Sequence, residues 1–158
     1  MDILIAEDDA ISRIVALYTI GMLGHHGVAV NDGKDALAAL RNNMFNLVLM
    51  DIDMPRMGGL EAVRRIRESG APWAGLPVVA VTGRTDWKTF MDAGMDGYVS
   101  KPYDMDELAK TIERFSGYPA PPHPSAPQSS SIWQSLGELL DASGPGTDHP
   151  ALSGAGGA

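Results

Sequence analysis

Four places in the chain carry side chains that can act together. Glu7-Asp8-Asp9 sets three carboxylates directly after the apolar run Ile3-Leu4-Ile5-Ala6. Asp51 follows Leu47-Val48-Leu49-Met50 in the same way, Thr82 follows Val78-Val79-Ala80-Val81, and Lys101-Pro102 comes shortly after Tyr98-Val99. Brought together, these groups would place several carboxylates, a hydroxyl and an ammonium in one small space. Two carboxylates about 4 Å apart repel by roughly 4 kcal/mol at an effective dielectric of ~20, so such a cluster needs a cation. All-oxygen ligands favour Mg²⁺ or Mn²⁺, with Asp8 and Asp51 as the protein carboxylates. A cation beside a carboxylate neutralises an incoming phosphoryl group, and the chemistry expected is nucleophilic attack by one carboxylate on phosphorus. Lys101 then offers a point positive charge to the phosphoryl oxygens and Thr82 a hydrogen bond.

The elements that must deliver these residues are legible as an alternation. The four runs above and Val28-Ala29-Val30 are short and mostly continuously apolar, as strands buried on both faces of a parallel sheet are. Between them Ile11, Ile14, Val15 and Tyr18 repeat at i, i+3, i+4, i+7, as do Met105, Leu108, Ala109 and Ile112, with Phe115 extending the second stripe. Each pattern predicts a helix with that stripe as its core face. Weaker helical signals cover 34–43, 58–69 and 86–94, with Gly24, Gly70 and Gly94 where C-caps belong. Strict βα alternation predicts an α/β fold, a five-stranded parallel sheet with helices on both faces. In such sheets ligands bind outside the carboxyl ends of the strands, where the four chemical positions fall.

With those residues placed, the segments ILIAEDD, LVLMDIDMPRMGG, VVAVTG and DGYVSKP resemble, in order and spacing, the receiver domain of a two-component response regulator. The resemblance covers about residues 1–116 and implies a doubly wound, flavodoxin-like sheet of order 2-1-3-4-5. It implies that Asp51 is the phosphoacceptor, that Asp8, Asp51 and the Asp53 backbone carbonyl hold the metal with Glu7 acting through water, and that Lys101 precedes a cis bond to Pro102. Thr82 and Tyr98 become the switch pair. The donor would be a phosphohistidine on a sensor kinase or phosphotransfer protein, and the output a protein contact. The Thr82–Lys101 segment is shorter than the family's usual spacing, and Gly83 stands where a small alanine or serine is usual. A haloacid-dehalogenase-type phosphohydrolase, whose nucleophile signature Asp51-Ile52-Asp53 also fits, and a receiver-like adaptor acting without phosphorylation are the alternatives.

Composition bounds the rest. The 158 residues suit one domain of ordinary size, and 12 Lys plus Arg against 20 Asp plus Glu give a net charge of −8, which argues against a nucleic-acid partner. Cysteine is absent, removing thiolate chemistry. The N-terminus has neither a basic n-region nor a long apolar run, so no membrane insertion and a cytoplasmic location are expected. The receiver is expected at 1–117, and a mostly disordered Pro/Ser/Gly-rich tail at 118–158. In the tail Ile132, Trp133, Leu136, Leu139 and Leu140 share a helical face, predicting a short amphipathic helix at 131–141. His25-His26 is not expected to act as a metal or phosphohistidine pair, because neighbours on a turn diverge. Arg64-Arg65-Arg67 reads as a solvated helix face, and Met44, Met50, Met54, Met57, Met91, Met95 and Met105 as core and loop filling.

Overall fold

In the computed structural model, residues 1–117 are described. Strands and helices alternate throughout: β1 (Asp2–Ala6), α1 (Ala10–Met22), β2 (His26–Val30), α2 (Gly33–Asn42), β3 (Leu47–Asp51), α3 (Gly59–Glu68), β4 (Val78–Thr82), α4 (Trp87–Ala93), β5 (Gly97–Ser100) and α5 (Met105–Phe115). The strands form one parallel sheet in the order β2-β1-β3-β4-β5. The expected α/β architecture is therefore present among the described residues. The tail and its expected helix at 131–141 lie outside them.

The two-residue period of each strand divides the core in two. Leu4, Val48, Met50, Val78 and Ala80 point to one side, where α2, α3 and α4 cover them with Leu37, Leu40, Val63, Ile66 and Phe90. Ile3, Ile5, Leu47, Leu49, Val79, Val81 and Val99 point to the other, against Ala16 and Ile20 of α1 and Leu108, Ile112 and Phe115 of α5. Each fully buried Leu, Ile, Val or Phe contributes about 1.5–3 kcal/mol. All five residues of β3 and of β4 are buried, whereas β5 alternates buried and exposed and β2 is half-buried along its length. Continuous apolar runs belong to the interior strands, and the two edges admit His26, Gly97 and Tyr98.

Three helices start on an aspartate that accepts from the third residue onward: Asp9 from Ser12 N–H (2.7 Å), Asp32 from Asp35 N–H (2.8 Å) and Asp104 from Glu107 N–H (2.7 Å). These bonds satisfy donors that a helix leaves free at its N-terminus. At the other end of α4, Gly94 adopts φ 112°, a conformation that L side chains rarely take.

Two expectations are corrected. The α1 stripe does not face the core: Ile11, Ile14, Val15 and Tyr18 are 72, 67, 51 and 50 % exposed. The inward positions are Ala16, Thr19 and Ile20. Within α1 only Arg13 is charged, so the helix is apolar on two sides and its sequence satisfies the helical period in more than one direction. Arg67 is not a solvated residue either. Its guanidinium donates to the carbonyls of Gly94, Ala74 and Leu76 and to Asp96 Oδ2, at 2.7–2.9 Å, tying α3 to two loops. Of the methionines, Met50, Met57 and Met95 are buried as expected, while Met44, Met91 and Met105 are exposed.

Candidate functional site

Strand register brings the chemistry together before any side chain is considered. Ala6 lies beside Met50, so Glu7 leaves β1 next to Asp51. Asp51 lies beside Val81, one residue short of Thr82, and Thr82 lies beside Ser100, one residue short of Lys101. The Lys101 N–H continues the ladder by donating to the Thr82 carbonyl at 2.9 Å, and the bond from Lys101 to Pro102 is cis.

At this edge Glu7, Asp8 and Asp51 each present a carboxylate oxygen, and the three atoms lie within 4.8 Å of one another. Glu7 and Asp51 are buried and Asp8 is exposed. Such a set of hard oxygen donors fits a small divalent cation that keeps some of its waters. Lys101 Nζ donates to Asp51 Oδ2 at 3.1 Å and to Glu7 Oε2. Burial pushes the Lys101 ammonium toward losing its proton, but its bonds to Glu7 and Asp51 outweigh that and raise its pKa above the ordinary lysine value. The ammonium is thus held charged against the buried acids.

Asp53 meets Asp51 through its backbone, its N–H donating to Asp51 Oδ1 at 3.3 Å. Thr82 is buried and its Oγ1 accepts from Arg84 N–H at 3.1 Å. Tyr98 is not in this cluster. Its ring is 47 % exposed and packs on Trp87, centroids 4.6 Å apart and planes tilted by 47°. His25 and His26 diverge as expected, His25 Nδ1 facing the N-terminal ammonium at 3.0 Å and His26 Nδ1 facing Asp2 Oδ1 at 3.2 Å.

Several contributors were not singled out from the sequence. Arg13 donates to the carbonyls of Glu7 and Asp8, both at 2.9 Å, and so holds the acidic turn from α1. Gly59 is the first residue of α3. A Cβ there would stand 2.1 Å from the Asp51 carbonyl oxygen, so α3 starts against the Asp51 backbone only because position 59 has no side chain. The Arg84 guanidinium reaches Asp53 Oδ1 at 3.3 Å and Asp86 Oδ2 at 2.6 Å. Only the low side-chain volume of Gly59 was a sequence signal; Arg13 lies in the first turn of α1 and Arg84 in a polar turn, and a basic residue in either place is unremarked.

Beside the cluster runs a groove of about 390 Å³ whose lining includes Glu7, Ile11, Val15, Lys101, Pro102 and Tyr103. It joins the exposed face of α1 to the buried carboxylates. Burial raises the Tyr103 pKa, keeping its phenol neutral in the groove wall.

Residues 3–113 match the family model described as the response regulator receiver domain. The chain is 37 % identical over 115 residues to the sensor histidine kinase RcsC of Salmonella typhi, an alignment that covers 71 % of this chain and 12 % of that protein. The chain thus spans about an eighth of that relative's length. Among solved structures, it is similar to the receiver domain of sensor histidine kinase PA1611 from Pseudomonas aeruginosa, which has a magnesium ion coordinated in its active site cleft. There the TM-score is 0.66 at 28 % identity, covering 72 % of this chain and 95 % of that one. The chemotaxis response regulator CheY4 of Vibrio cholerae gives a TM-score of 0.68 at 26 % identity, covering 72 % of this chain and 97 % of that one.

Proposed function

The chain belongs to the response regulator receiver family, and on that premise we propose that Asp51 accepts a phosphoryl group from a phosphohistidine and signals its modification by protein contact. The observation that carries the reading is the Asp51 carboxylate itself, buried at the end of a central strand with Lys101 on one oxygen and the Asp53 amide on the other. An Asp51 oxygen attacks phosphorus, the phosphorus–nitrogen bond breaks, and the imidazole of the donor leaves as its electron pair returns to nitrogen. Lys101 moves from its carboxylate partners to a phosphoryl oxygen, and the Thr82 hydroxyl donates to another. Asp8, Asp51 and the Asp53 carbonyl, with Glu7 through a water, are the residues that would hold Mg²⁺ or Mn²⁺. When bound, that ion supplies charge neutralisation to the incoming phosphoryl group.

The exposed stripe of α1 supports a helical donor. Ile11 and Val15 border the groove that leads to Glu7 and Lys101, so a partner helix seated on α1 would bring a histidine to the mouth of the site. A sensor kinase or a histidine phosphotransfer protein fits that description. Among the described residues no helix is long and apolar enough to cross a membrane. The role proposed is cytoplasmic. In this reading the receiver comprises residues 1–117, and 118–158 is a tail outside it. The phosphohydrolase alternative has less support, since residues 3–113 match the receiver-domain family model.

The test uses acetyl phosphate with Mg²⁺ and, separately, a phosphorylated histidine phosphotransfer protein, read on a phosphate-affinity gel. Wild type is expected to give a retarded, base-labile band and Asp51→Asn none. No retarded band with either donor, or a band that survives Asp51→Asn, overturns the proposal.

A further inference from the structure

Arg84 stands at the opening of the acceptor site, yet none of the roles above uses it. It lies in the short turn between Thr82 and α4, and both ends of its pairing with Asp53 are tied to the site. Its own N–H is bonded to Thr82 Oγ1, and the N–H of Asp53 is bonded to Asp51 Oδ1. The Arg84–Asp53 contact is loose, a single nitrogen–oxygen approach of 3.3 Å between side chains 43 and 71 % exposed. The contact to Asp86 is tighter, at 2.6 Å. A phosphoryl group on Asp51 would add close to two negative charges and three strong acceptor oxygens beside this pair. A guanidinium meets phosphate oxygens in a two-pronged geometry that a point ammonium lacks. Releasing Asp53 has little cost, because its carboxylate already faces water.

We propose that Arg84 is a second phosphoryl-binding cation, opposite Lys101, that exchanges Asp53 for the phosphoryl oxygens when Asp51 is modified. The inference rests on Asp51 being the acceptor. The exchange draws on the turn that carries Asp86 and, next to it, Trp87, whose ring lies against Tyr98. Modification would thus reach half-buried Trp87 and exposed Tyr98 along the outside of the turn, with no need for Tyr98 to enter the core.

The full chain with Trp73→Phe and Trp133→Phe leaves Trp87 as the sole tryptophan. Its emission is titrated with beryllofluoride in Mg²⁺, and the acetyl phosphate adduct is measured in parallel. In this background the Trp87 emission is expected to change on binding. Arg84→Gln should weaken beryllofluoride about tenfold and flatten the emission change, Arg84→Lys should recover part of the affinity, and the melting temperature without ligand should stay unchanged. If the adduct forms but Arg84→Gln binds beryllofluoride as tightly as wild type with the same emission change, this inference alone is overturned. Weak binding by both variants together with a lowered melting temperature also overturns it, since that marks a structural role. If no adduct forms in wild type, the acceptor reading falls and takes the inference with it.

Discussion

Helices α1 and α5 lie on the same face of the sheet and carry stripes of the same period, but they use them oppositely. In α5 the stripe's Leu108, Ile112 and Phe115 are buried against Val79, Val81 and Val99, and only Met105 at its start is exposed. In α1 the stripe Ile11, Ile14, Val15 and Tyr18 faces solvent, and the smaller set Ala16, Thr19 and Ile20 meets the sheet. The remaining positions explain the difference. Around its stripe α5 has Asp106, Glu107, Lys110, Glu113 and Arg114, so only one face is fit for burial, whereas α1 has a single charge. A side chain left in water forgoes about 1.5–3 kcal/mol of burial. An apolar face kept exposed beside the buried carboxylates suits a surface whose burial would occur in the donor complex proposed above.

The contrast can be broken most directly by truncation. Leu108→Ala is expected to cost about 2–5 kcal/mol in chemical denaturation, and Ile14→Ala to stay within about 0.5 kcal/mol of wild type. Equal costs would mean that α1 packs inward in solution. A smaller effect, on rate alone, comes from Ile14→Glu. It should leave acetyl phosphate labelling of Asp51 unchanged and slow transfer from a phosphorylated histidine phosphotransfer protein by about tenfold, within the range of interface anchors. Unchanged transfer would detach the α1 face from donor docking.

The smallest effects concern helix ends. Asp104→Ala, at the exposed cap of α5, should cost about 1 kcal/mol. Asp32, the cap of α2, is buried. Burial pushes its carboxyl up, but the Asp35 amide and the Arg56 guanidinium outweigh this and hold it below the ordinary value of 3.8. Because the folded pKa is the lower one, this stabilisation is present above 3.8 and lost as pH falls through the folded value. The stability gap between wild type and Asp32→Asn, measured by denaturation, should therefore narrow below that pH. A constant gap would show that the charge plays no part.

Much of this was readable from residue order. Continuous apolar runs gave β1, β3 and β4 because interior parallel strands are buried on both faces, and the polar residue at the end of each run then fell at one edge of the sheet. The bounds of α2, α3 and α4 differ from expectation by a residue or so, where caps and fraying decide. Strand β2 begins at His26 rather than Val28, since a half-exposed edge strand accepts polar residues. The direction of α1 was illegible because periodicity gives an angle between residues, not a direction toward the sheet. Arg13, Arg67 and Arg84 were missed for a different reason. Arg13 donates to carbonyls in the turn before its helix, Arg67 to carbonyls of two later loops, and Arg84 to the Asp53 carboxylate on another strand's loop, and no local sequence pattern marks such partners.

Strand β3 ends in Asp51, is buried along its whole length and is flanked by β1 and β4 on either side. Amides in such a strand are the last to exchange with deuterium, since nothing short of global unfolding frees them. The acyl phosphate proposed at its tip would therefore be insulated from fraying and from partial opening of the edges. Its duration would then be a matter of water reaching phosphorus, and the clock of the proposed signal would run independently of the breathing of the domain that carries it.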